Sequence, residues 1–217
     1  MTTKLLSRTA ALVGAALWVP VAASANPVQV VSADTPPCDT LSVPTTTIEE
    51  LGLAPPFPAG EQISASAVTT TQSACTTLTT DNGLITNALV SITNLNSISF
   101  GSVWYVADTN TALSNADGTV SGGLAFKIDA VGSNRPLISE SGIVDGIFAP
   151  GETWTFIIQD YTNTFGLSAA ALGTLGLPQT GNLSSGSIIA VPMPEPTTAA
   201  LLSLGLLGLA GCRRARE

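Results

Sequence analysis

Alternation of apolar with hydroxyl-bearing residues, repeated in several short runs, confines most of this chain to β-structure. From Ile63 to Thr71, Ile, Ala and Val alternate with Ser and Thr, and Leu84 to Thr93, Ile98 to Val106 and Val120 to Val131 repeat the two-residue period. A pleated strand sends successive side chains to opposite faces, so each run fits a sheet with one wet face. Asp81-Asn82-Gly83 and Asn115 to Gly118 read as turns between runs. Thr47 to Leu51, with Thr46 or Thr47 as cap and Glu49 or Glu50 behind it, reads as one helical turn. Ser168 to Leu175 is alanine-rich yet broken by Gly173, and fits neither state well. Before Gly60, Pro36, Pro37, Pro44, Pro55, Pro56 and Pro58 predict an irregular arm.

One motif stands out inside the body: Asp145-Gly146-Ile147-Phe148-Ala149-Pro150-Gly151-Glu152, then TWTFIIQD from Thr153 to Asp160. Pro150-Gly151 predicts a type II turn, and Trp154, Phe156 and Ile158 share one face of the strand after it. Aromatics at this spacing are core material. On the run from Ile98 to Val106, adjacent Trp104 and Tyr105 place one ring of the pair outward.

The two chain ends obey other rules. Lys4 and Arg8 precede an apolar stretch from Thr9 to Val21, and Ala23-Ser24-Ala25 forms an A-x-A site before Asn26, which is the three-part pattern of a secretory signal peptide. At the other end, Pro192, Pro194 and Pro196 fix three φ angles and remove three amide donors, so this strip stays extended. Thr197 to Cys212 is apolar or small, and as a helix it covers roughly 24 Å against a hydrocarbon core of about 30 Å. Arg213, Arg214 and Arg216 lengthen that span by snorkelling and orient the run with its C-terminus on the cytoplasmic side.

The order of Pro192-Met193-Pro194-Glu195-Pro196, the LGLLGLAG helix and the terminal arginine cluster resembles the PEP-CTERM sorting signal. Cys212 stands where that signal usually has a small or apolar residue, and Glu217 follows its last arginine. The resemblance implies recognition of Pro194, Glu195 and Pro196 by an exosortase, a membrane-embedded transpeptidase-like enzyme. It also implies cleavage near that strip, delivery to the cell envelope or the outside, and an association with exopolysaccharide or biofilm. The D-G-x-x-x-P-G-E-x-W-x-F-x-I-x-D stretch is similar to segments in other PEP-CTERM proteins and in secreted β-sandwich modules.

Between the ends lie about 170 residues, enough for one domain with a sizeable core. Every acidic residue but Glu217 falls there, against Lys127 and Arg135 alone, a net charge of about −12 by simple count. Such a surface repels nucleic acid and anionic lipid, so no nucleic-acid partner is expected. Cys38 and Cys75, the cysteines of this exported segment, are expected to form a disulfide in an oxidising compartment, worth about 4 kcal/mol on the chain-entropy model.

The expected organisation is therefore a signal peptide at 1–25 and a Pro-rich, disulfide-tied arm at 26–60. An antiparallel β-sandwich of jelly-roll or Ig-like type follows at 61–191, and the sorting signal with its transmembrane helix at 192–217. Signal peptidase, exosortase and, transiently, the inner membrane are the expected partners, with exopolysaccharide a further one. No cofactor is expected. Asp145, Glu152 and Asp160 are the carboxylates best placed in the sequence for a calcium site, although no EF-hand loop or glycine-rich calcium repeat surrounds them. With no histidine, no G-x-S-x-G and no phosphate loop, the sequence reads as non-enzymatic. A noncatalytic matrix or adhesive protein leads, ahead of a carbohydrate-binding or calcium-dependent module and a two-carboxylate glycoside hydrolase.

Overall fold

The computed structural model describes residues 30–33, 48–55, 57–72, 85–128, 137–174, 183–193 and 204–205. The signal peptide with Ala23, Ala25 and Asn26, the Cys38–Cys75 pair, the turn at 81–83, Pro194 to Pro196 and Arg213, Arg214 and Arg216 lie outside the described residues. Leu204 and Gly205 are described, as helix. Among the described residues no helix is long and apolar enough to cross a membrane.

The body is mainly β. Its strands are β1 (Val30–Ala33), β2 (Glu49–Leu53), β3 (Gln62–Thr70), β4 (Asn87–Asn94), β5 (Phe100–Ala107), β6 (Thr111–Ala112) and β7 (Gly118–Val120). They continue with β8 (Gly123–Ile128), β9 (Leu137–Glu140), β10 (Ile147–Phe148), β11 (Thr153–Ile158), β12 (Thr162–Asn163) and β13 (Gly186–Pro192). Eleven of them form one sheet in the order β1-β7-β8-β5-β13-β2-β3-β4-β11-β9, with β10 beside β5, while β12 and β6 pair separately.

The sheet is mixed, which corrects the purely antiparallel expectation. β2 and β3 run parallel through Gly52↔Gln62 and Leu53↔Ile63. Parallel neighbours ordinarily need a crossover of roughly a dozen residues. Here the overlap involves only the end of β2 and the start of β3, so the short loop between them suffices. Phe57 in that loop folds back over Gly52, where an added Cβ would meet its ring, and Gln62 Nε2 donates to Phe57 O (2.9 Å).

Glu49 to Leu51, within the expected helical turn, is therefore strand, and the proline-rich arm contributes a packed element. Leu51 has no exposed surface. β2 is held on both sides, by β13 and by β3, and those tertiary partners outweigh the local helix signal. The expected run from Val120 to Val131 is likewise divided, because Ser121 (φ 49°) and Gly122 (φ 83°) are both left-handed and form the tight β7–β8 hairpin turn.

On β3, β4 and β11 the two-residue period holds, whereas β5 is buried on both faces. Ile63, Ala65 and Ala67 of β3 and Val90 and Ile92 of β4 face the core together with Trp154, Phe156 and Ile158 of β11. The sheet curls, like half of a barrel, so that its two halves enclose this core. Phe156 from one half lies 5.8 Å from Phe126 and 6.5 Å from Tyr105 of the other, ring centre to ring centre, and Tyr105 lies 5.8 Å from Phe126. Phe148 and Trp154 close the end at 5.1 Å.

Candidate functional site

β5 begins where three other segments meet, the β4–β5 connection, β10 and β13. The β4–β5 connection is short, and Asn94 organises it: Asn94 Nδ2 donates to Ile98 O and Phe148 O (2.9 Å each), while its Oδ1 accepts from Asn96 N (2.9 Å). β10 pairs with Phe100 and Gly101, and β13 ends against the same residues with Pro192 opposite Phe100. Proline is tolerated there because β2 pairs with β13 only up to Glu49↔Ala190, leaving that side of β13 without a ladder partner among the described residues. Met193 N then donates to Ser99 O (2.8 Å). The expected processing strip thus starts two residues after the end of β13.

The loop from β9 to β11 stands beside this exit. Glu140 is the clasp: Oε2 accepts from Asp145 N (3.0 Å) and Oε1 from Gly146 N (3.2 Å). Asp145 Oδ1 accepts from Ile147 N (2.9 Å), and Glu152 Oε2 accepts from Ala149 N (2.8 Å). Glu152 N bonds Ala149 O (3.0 Å) around Gly151 (φ 76°), which is the predicted Pro150-Gly151 turn. The loop borders a depression of about 310 Å³ lined in part by Ser141, Ile143, Asp145 and Pro150.

Burial raises the Glu140 carboxyl above the ordinary carboxylate range; the Asp145 and Gly146 amides oppose that rise, and the Glu152 and Asp145 charges add to it. Both oxygens of Glu140 and Oε2 of Glu152 accept from amides of their own loop. What this arrangement does chemically is hold a rigid loop with Ile143 and Val144 at its tip, 78% and 68% exposed.

The proposed calcium trio is not assembled. Glu152 precedes β11 and Asp160 follows it, and eight residues of extended chain separate them by roughly 26 Å. Asp160 N instead donates to Asn87 Oδ1 (2.9 Å) at the far end of the strand. Glu140, which the sequence reading passed over, is the carboxylate beside Glu152 and Asp145; its only sequence signal is an acid five residues before a D-G turn. Among the described residues, no group of three or more acidic or cysteine side chains is placed to hold a metal ion.

Trp104 and Tyr105 do face opposite sides of β5, but neither ring reaches solvent, correcting the expectation of an outward aromatic. Tyr105 sits in the main core, while Trp104 joins a second cluster with Val106, Val120, Ala125 and Ile189 on the other face. Tyr105 OH donates to Ser185 O (3.2 Å), and complete burial pushes its phenol far above the ordinary range. Phe165 is the exposed aromatic among the described residues, on a turn where Asn163 Oδ1 accepts from Phe165 N (2.9 Å) and Leu167 N (3.1 Å).

The outer face of the β3-β4-β11 half carries hydroxyls in two cross-strand rows, Ser64–Thr93–Thr153 and Ser66–Ser91–Thr155. Neighbours in these rows bond one another, Ser91 Oγ to Thr155 Oγ1 at 3.0 Å and Thr93 Oγ1 to Thr153 Oγ1 at 2.7 Å. This uncharged face followed directly from the alternation in sequence. Scans against family models and searches of curated proteins and solved structures find no match for the chain.

Proposed function

We propose that this chain is an exported, noncatalytic protein of the cell envelope or extracellular matrix, made as a membrane-anchored precursor and processed at Pro194-Glu195-Pro196 by an exosortase. The observation that carries the reading is where the last strand of the body ends. β13 ends at Pro192, two residues before Pro194, with Met193 N still donating to Ser99 O. A processing enzyme needs extended, unpaired backbone, and the strip supplies it without dismantling β13.

In this reading the curled sheet is a β-sandwich, supported by the single aromatic core that Tyr105, Phe126 and Phe156 form between its halves. The hydroxyl rows on β3, β4 and β11 supply a neutral polar surface for exopolysaccharide on a molecule of formal net charge −8. An aromatic sugar platform on β5 loses its support, since Trp104 and Tyr105 are buried. Mass spectrometry of the mature protein tests the proposal: a C-terminus at or next to Glu195 is expected, and a mature chain retaining Arg213 to Glu217 refutes it.

A further inference from the structure

We infer that the exit end of the domain lies on the lipid surface, with Ile143 and Val144 of the β9–β10 loop, together with Leu95 and Met193, in contact with the bilayer interface. The inference rests on the proposed reading of Thr197 to Cys212 as a membrane-inserted run, and it follows from how little chain separates that run from the sheet. From Met193, pinned to Ser99 O, to Thr197 is four Cα steps, at most roughly 14 Å. The headgroup layer takes up about half of that on each side of the hydrocarbon. The run itself, roughly 24 Å as a helix, falls short of a core of about 30 Å, and the mismatch draws the strip inward. The end of β13 is therefore held at the headgroups.

That end of the molecule carries the side chains such a position requires. Leu95 (52% exposed) begins the β4–β5 connection, Met193 (37%) follows β13, and Ile143 and Val144 precede β10, which pairs with Gly101. These are apolar groups on backbone tied to the start of β5. The loop bearing Ile143 and Val144 is clasped by Glu140 through the Asp145 and Gly146 amides, so its tip is presented without an ordering cost at contact. Glu140, Asp145 and Glu152 stand at the same end, and their charge matches a zwitterionic surface rather than an anionic one.

The test uses the full chain reconstituted in phosphatidylcholine vesicles whose acyl chains are brominated. Val144→Trp and, as the remote control, Val68→Trp on the outer face of β3 each add one fluorophore, and the wild-type signal of the native tryptophans is subtracted. Both positions are exposed, so both variants fold. Quenching several-fold stronger at 144 than at 68 is expected. It should fall to the control level when a Gly/Ser insert of about 12 residues, spanning roughly 20 Å, separates Met193 from Pro194. Equal quenching at both positions in a chain that resists alkaline carbonate extraction overturns the lipid contact while leaving the anchored reading intact. A chain that carbonate extracts overturns the anchored reading and the contact with it.

Discussion

Glu49, Glu61 and Glu140 each have a carboxyl raised from the ordinary value of 4.5, in every case mainly by burial, and Glu61 adds repulsion at Glu49. A carboxyl raised in the folded state binds its proton more tightly there than in the unfolded chain. The stability these groups contribute is complete below about 4.5 and is lost as pH rises through their folded values. Melting temperature should therefore be higher at pH 5 than at pH 7.5, and Glu49→Gln should flatten that slope. A slope unchanged in the variant would show that Glu49 takes no part. Gly186 is constrained differently, since an added Cβ would lie 2.6 Å from Val106 O and 2.7 Å from the Tyr105 ring. Gly186→Ala should lower unfolding free energy by about 1–3 kcal/mol in denaturant titration, the usual cost of overpacking.

At the scale of elements, two side chains join parts distant in sequence. Asn94 bonds both the β4–β5 connection and Phe148 of β10, so Asn94→Ala leaves buried carbonyls without partners. A loss of about 1–3 kcal/mol is expected, read as a lower denaturation midpoint. Phe156 touches both aromatic partners across the core. Phe156→Ala should cost about 3–5 kcal/mol, and a much smaller loss would mean that the halves do not close on this ring. The difference between β2 and the helical turn expected there is instructive at the same scale. Local capping residues favour a helix weakly, whereas partners on both sides, β13 and β3, fix Leu51 in a buried strand.

For the molecule as a whole, β13 matters most, because the last strand of the body sits in the middle of the sheet between β5 and β2. Truncation after Met193 should leave cooperative unfolding intact. Truncation after Gly186 should abolish it, since the strand that joins β5 to β2 is lost, and circular dichroism during thermal melts distinguishes the two. Processing at the proline strip is thus compatible with a stable product only on the far side of Met193.

Sequence alone determined the β class, the inward faces of β3, β4 and β11 and the turn at Pro150-Gly151. Each of these depends on a two-residue period or on a backbone angle that neighbouring residues dictate. The hydroxyl rows were legible for the same reason. Only the tertiary structure decided that β2 joins β3 in parallel, that β13 lies centrally, that Trp104 is covered, and that Glu140 rather than Asp160 accompanies Glu152. Strand pairing and side-chain convergence join residues far apart along the chain, through contacts that no local pattern encodes.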